Sequence, residues 1–232
     1  MEQFESESVN TLKSEHLNEG VKPIIACVGT SKEYDLETVE FLDIKRYGFN
    51  VDFKADSREL RSRGLRNAGK ETYVISTIDS RPKFTEGLFE CTSLVAVGTD
   101  AEDARSNFSF LTHQVPGSFL ILNKPDFISD LKDRLNELKG ACAPGTVDIV
   151  IVGGQIYEMY EGSIKLLSSV VEDVFGFTPT VIVGPKGTGR DDVYFDNNDR
   201  RLYVIRPDAG RAFNDSFSAE ETPDKIKEWR KK

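Results

Sequence analysis

Thr85, Cys91 and His113 are the residues in this sequence whose types and spacing suggest covalent chemistry. His113 is one of two histidines, and the other, His16, lies in a polar N-terminal stretch expected not to pack. Of the three cysteines, Cys27, Cys91 and Cys142, only Cys91 falls in a segment close to His113. Thr85 stands six residues before it in Thr85-Glu-Gly-Leu-Phe-Glu-Cys91. A free thiol with a pKa of about 8.5 is mostly protonated at neutral pH. An imidazole within hydrogen-bond reach converts it to thiolate and orients its attack. The same imidazole can then protonate a leaving amine and activate water against the thioester. A third polar group fixes its tautomer, a task within reach of a threonine hydroxyl or carbonyl. The set points to acyl transfer on an amide or ester.

A plain structural reading stands beside it. Buried cysteines usually behave as small hydrophobes, and Cys91 precedes the apolar run Leu94-Val-Ala-Val97. A histidine within Phe110-Leu-Thr-His113-Gln also suits a satisfied residue on a sheet edge.

Two glycine motifs could touch a substrate. Gly153 and Gly154 follow the strand-like Val147-Asp-Ile-Val-Ile-Val152. They read equally as a tight exit from a buried strand or as backbone that a substrate can approach closely. With Thr92 and Ser93, which follow Cys91, they are the candidate substrate-contacting residues. Gly184-Pro-Lys-Gly-Thr-Gly-Arg-Asp191 has phosphate-loop glycine spacing, but Arg190 and Asp191 replace the lysine and hydroxyl residue. Strand-like Val193-Tyr-Phe follows where a helix N-terminus would be required. A turn joining two strands is the expectation, with no nucleotide.

Composition narrows the classes further. The chain has 232 residues and a net charge of −9, which disfavours nucleic acid as a partner. The basic run Arg58, Arg61, Arg63 and Arg66 reads as a solvated helix face. No apolar run approaches the roughly 20 residues of a membrane span, and the acidic N-terminus lacks a secretory signal. A cytoplasmic protein without a membrane partner is expected. Three scattered cysteines and one usable histidine make neither a disulfide framework nor a zinc site, so no metal or cofactor is expected.

The elements that must position these residues mix strand and helix. Strand-like runs occur at residues 24–28, 50–53, 72–77, 94–97, 107–111, 147–152, 180–183, 192–195 and 202–205. One helix follows Asn123, with Phe127, Ile128, Leu131, Leu135 and Leu138 on one face and Gly140 as its stop. A second carries Ile164, Leu167, Val170, Val171 and Val174 and ends at Gly176. Phe195-Asp-Asn-Asn-Asp-Arg-Arg-Leu reads as a hairpin turn. The pattern predicts an α/β or α+β domain over residues 23–213. A disordered acidic tail is expected over 1–22 and a polar tail over 214–232, with a short helix around 218–229. Residues 23–68 are left open as a separate element or an extension of the main sheet.

Residues 72–206 resemble the bacterial chemoreceptor glutamine deamidase (CheD-like) family, which is related to deamidating toxins. Thr85-x-Gly-x-x-x-Cys91 is similar to its threonine–glycine–cysteine block, and Val95-Ala-Val97 to the strand beside that cysteine. Phe108-Ser-Phe-Leu-Thr-His113 resembles its strand ending in histidine. Val150-Ile-Val-Gly-Gly154 resembles its double-glycine strand, and Val183 to Arg190, with Phe195 and Val204, its turn, arginine and closing hairpin. In this chain Phe89-Glu90 replace the family's glycine–serine pair before the cysteine, and extra residues, including 100–105, separate cysteine from histidine. The resemblance implies layered β-sheets flanked by two main helices. It also implies Cys91 as nucleophile, His113 as base and Thr85 as assistant in hydrolysing a protein glutamine side chain to glutamate. The partner implied is a protein substrate, with no cofactor. Two rival expectations are a non-catalytic protein-binding module on the same fold and a small-molecule esterase or amidase with a deep pocket.

Overall fold

The computed structural model describes residues 16–30, 34, 39–51, 73–88, 90–115, 124–153, 158–184 and 190–206. The basic run at Arg58–Arg66, Gly154 and the C-terminal tail lie outside them. Ten strands and three helices are described. They are β1 (Ile25–Thr30), α1 (Val39–Tyr47), β2 (Phe49–Asn50), β3 (Tyr73–Ile75), β4 (Lys83–Leu88), β5 (Thr92–Thr99) and β6 (Asn107–Gln114). They continue with α2 (Lys124–Ala141), β7 (Asp148–Gly153), α3 (Glu158–Phe175), β8 (Thr180–Val183), β9 (Asp191–Asp196) and β10 (Arg201–Arg206).

The strands form two five-stranded sheets, ordered β1-β10-β9-β4-β2 and β3-β6-β5-β7-β8. Alternation along the strands sorts side chains into three apolar layers. Val95, Val97, Leu111, Val150 and Val152 of the second sheet meet Val193, Phe195, Leu202 and Val204 of the first, forming the core between the sheets. Leu94, Ala96, Phe110, Ile149 and Ile151 point the other way, onto α2 and α3. Phe84, Tyr194, Tyr203 and Ile205 leave the first sheet on its outer side and pack against Phe41 and Ile44 of α1. The result is a layered α/β/β/α arrangement. The third helix, α1, adds an outer layer that the apolar pattern alone does not reveal.

β1 pairs in parallel with β10, and β2 with β4, so the described part of residues 23–68 extends the first sheet. The stripe Phe127, Leu131, Leu135 and Leu138 is buried as expected, but α2 runs through Gly140 to Ala141. A Cβ at Gly140 would meet nothing, so that glycine is exposed helix, not a stop. Gly176, with φ 78°, does end α3. The turn between β9 and β10 is a hairpin, held by Asn198 N–H donating to Asp196 Oδ1. Its positive φ falls on Arg200 rather than on an asparagine or aspartate.

Of the acidic tail expected over residues 1–22, residues 16–22 are described, and they are held against the domain. His16 stacks on Phe177 with ring centroids 3.5 Å apart and comes within ion-pair reach of the buried Asp148. Asn18 N–H donates to the Gly145 carbonyl, and Ile24 N–H to Asp148 Oδ2. One aromatic ring and one carboxylate thus pin a stretch whose composition reads as unstructured.

Candidate active site

β4 places Thr85. Its inward residues Lys83 and Thr85 face the second sheet, where Lys83 Nζ donates to Ser109 Oγ at 3.1 Å. A β-bulge after Thr85 shifts the register against β9, with Gly87 at φ 77° and its N–H donating to Asp192 Oδ1. The extra residue turns Leu88 inward as well, so β4 buries both Thr85 and Leu88 between the sheets.

β6 places His113, and its parity puts the imidazole in the same layer as Leu111. Across the gap, Thr85 Oγ1 and His113 Nδ1 lie 2.7 Å apart. Both residues are buried. If Nδ1 carries the proton and donates to the threonine oxygen, Nε2 is left with the lone pair of a base.

β5 brings Cys91. The β5–β6 register pairs Thr92 with Gln114 and Val95 with Leu111, which sets Ser93 across from His113. Cys91, one residue before the strand, shares the parity of Ser93 and packs partly buried against the intersheet core. It is the diagonal neighbour of His113, a relationship that spans roughly 7–8 Å of backbone and lies within reach of an aromatic ring. Thiol and imidazole therefore emerge on one face of the sheet. Between them the ladder opens: Leu94 N–H donates to the Thr112 hydroxyl at 2.9 Å.

The substrate-contacting candidates separate. Ser93 Oγ lies on the site face, buried, with no hydrogen-bond partner among the described residues. Thr92 faces the helix layer, where its hydroxyl accepts from Gln114 Nε2 at 2.8 Å. It therefore turns away from Cys91, because strand alternation gives neighbours opposite faces. Gly153 (φ 93°) does permit a close approach, but by the protein itself: a Cβ there would lie 2.5 Å from the Cys91 carbonyl oxygen. On its Cβ side it seats the backbone of Cys91.

Two residues at this end carry no sequence signal of their own. Asp191 begins β9 fully buried, with Oδ1 accepting from Arg206 Nε at 3.2 Å. Burial pushes its carboxyl up to about 6 against the pull of Arg206. Arg206 also donates from Nη2 to the Val183 carbonyl at 2.8 Å, and Val183 pairs with Gly153. A chain of contacts thus runs from Asp191 through Arg206, Val183 and Gly153 to Cys91. β8, which ends at Val183, belongs to one sheet and β9, which begins at Asp191, to the other; residues 185–189 between them lie outside the described residues.

Among the described residues no group of three metal-ligating side chains occurs. No described helix is long and apolar enough to cross a membrane. No protein-family profile matches this sequence, and no curated protein is significantly similar to it.

Proposed function

We propose that this protein is a cysteine-dependent amidohydrolase that converts a glutamine side chain, borne by a protein partner, to glutamate. On this reading it resembles the chemoreceptor glutamine deamidases in fold as well as in motif. The observation that carries the proposal is the Thr85–His113 hydrogen bond across the sheets, with Cys91 one diagonal step away on the same face. An imidazole held by a threonine hydroxyl beside a partly exposed thiol is the arrangement that cysteine acyl transfer needs.

Thr85 fixes the ring, and His113 Nε2 takes the Cys91 proton. The thiolate attacks the carboxamide carbon, and backbone N–H groups near Cys91 receive the charge on oxygen. Removing one such donor costs roughly 10²–10³ in rate. The imidazolium returns its proton to nitrogen, the C–N bond breaks and ammonia leaves, forming a thioester. His113 then deprotonates water, which attacks the thioester and frees glutamate and the thiol.

The packing of Cys91 against the intersheet core supports a second reading, a protein-binding module without chemistry. One experiment separates them. Wild type incubated with unfolded casein should release ammonia and convert glutamine to glutamate, read by mass spectrometry, and Cys91→Ala should do neither. Undiminished ammonia release by Cys91→Ala would falsify the assignment. Absent release by wild type, together with Cys91 alkylation no faster than glutathione's, would favour the binding module.

A further inference from the structure

Asp191 holds an open valence at the reactive end. Its Oδ2 is buried and has no hydrogen-bond partner among the described residues. A buried acceptor without a donor costs about 1–3 kcal/mol, more when charged, and such orphans in native interiors call for a reason.

Its place in the fold supplies one. Asp191 pairs with Leu88 of β4, one step beyond the Thr85–Val193 pair. Thr85 stands level with His113 across the gap, and Ser93 stands level with His113 within its sheet. One step beyond Ser93 on β5 is Cys91. In the first sheet β9 lies between β4, which meets β6, and β10, which Arg206 ties to β8. β9 therefore lies above β5 and β7, and Asp191 and Cys91 stand at the same end of the sandwich.

We infer that Asp191 Oδ2 accepts a hydrogen bond from the NH2 of a primary carboxamide held against Cys91, and so selects carboxamides over esters and carboxylates. This inference rests on the reading of Cys91 as a nucleophile. A carboxamide offers the N–H donors that Asp191 lacks. An ester has none, and a carboxylate meets like charge. Ser93 Oγ, also buried without a hydrogen-bond partner among the described residues, lies one step deeper and supplies a hydroxyl donor for the carbonyl oxygen. Among the described residues, the charged groups acting on Asp191 are Arg206 from β10 and its chain neighbour Asp192; Arg190 precedes it in the chain, and Cys91 and His113 stand at the same end of the second sheet. Glu86 of β4 is turned outward to Tyr194.

The test compares three alkylating probes, iodoacetamide, methyl iodoacetate and iodoacetate, each also reacted with glutathione as reference. In each reaction the thiolate forms an S–C bond, the C–I bond breaks and iodide leaves. Peptide mass spectrometry reads Cys91 apart from Cys27 and Cys142. Relative to glutathione, Cys91 should prefer iodoacetamide to methyl iodoacetate by about tenfold or more, the size expected of a hydrogen bond to a charged acceptor. Iodoacetate should be slowest. Asp191→Asn should shrink the amide preference to within about threefold and speed iodoacetate. Should that variant not fold, the wild-type amide-to-ester ratio serves instead. Thiolate content cancels in the ratio, so it should fall between about pH 7.5 and about pH 5 as Asp191 protonates. Fast alkylation of Cys91 without amide preference overturns this inference and leaves the nucleophile reading standing. Alkylation no faster than glutathione's with all three probes overturns both.

Discussion

Removing the Thr85 hydroxyl strands the buried His113 Nδ1. Thr85→Val keeps the volume of the side chain but leaves that nitrogen unsatisfied, so it should destabilise by about 1–3 kcal/mol in urea unfolding. Cys91 alkylation should slow as well, because the ring is no longer held. Thr85→Ser should restore both. Asp191 makes a prediction in pH. Its carboxyl is raised to about 6 in the folded protein from an ordinary 3.8. The folded state thus holds that proton more tightly than the unfolded chain. The associated stability is complete below about pH 4 and is lost as pH rises through about 6, a loss of roughly 3 kcal/mol. Urea midpoints taken across that window should show this slope in wild type and not in Asp191→Asn. At this scale the Thr85–His113 contact and Cys91 on the same face were legible because the chain holds only two histidines and three cysteines, so few pairings were open. Asp191 and Arg206 were not. An aspartate closing a glycine-rich turn looks like turn chemistry, and an arginine ending a strand looks like a solvated cap. Only the sandwich, closing β9 over β5, turns both inward.

Elements differ in how openly they announce themselves. Eight of the strand-like runs fall on described strands, and the run 50–53 meets β2 only at Asn50, its residues 52–53 lying outside the described residues; the imprint is strongest in β5, β6 and β7, whose apolar residues are buried on both faces. β4, the strand that carries Thr85, left none. Its sequence Lys83-Phe-Thr-Glu-Gly-Leu88 holds a fully buried lysine and a glycine, both unusual in strand interiors. Nor was α1 apparent, because its nine residues offer only a short apolar stripe. Two glycines in strands at the site provide a contrast. Gly87 at φ 77° has open space around an added Cβ, whereas Gly153 at φ 93° would drive one into the Cys91 carbonyl. Gly87→Ala should cost only backbone strain, roughly 1–2 kcal/mol. Gly153→Ala should lower the urea midpoint further and change the alkylation rate of Cys91. Equal losses with unchanged Cys91 reactivity would show that Gly153 does not seat the cysteine.

Over the whole molecule, polar cross-links hold the sheets together alongside apolar burial. The three N–H groups of Lys83 Nζ are shared among Asp79 Oδ1, the carbonyls of Asp79 and Arg81, and Ser109 Oγ, all within hydrogen-bond distance. Burial draws the lysine down to about 8 despite Asp79. Lys83→Met should destabilise by about 2–4 kcal/mol in denaturant unfolding, because the acceptors left behind lose their cation. In wild type the unfolded chain binds that proton better than the folded one. Stability from this group should therefore climb as pH rises between about 8 and 10.5, and Lys83→Met should remove the climb.

His16 and Asn18 are fastened beside Asp148, where β7 begins, and Cys91 lies beside Gly153, where β7 ends. At about 3.3 Å per residue the six-residue strand separates these two points by roughly 17 Å. A tether fused ahead of His16 and fixed to a bead should therefore leave the thiol facing bulk solution. Immobilised and free protein should then take up iodoacetamide at Cys91 at the same rate.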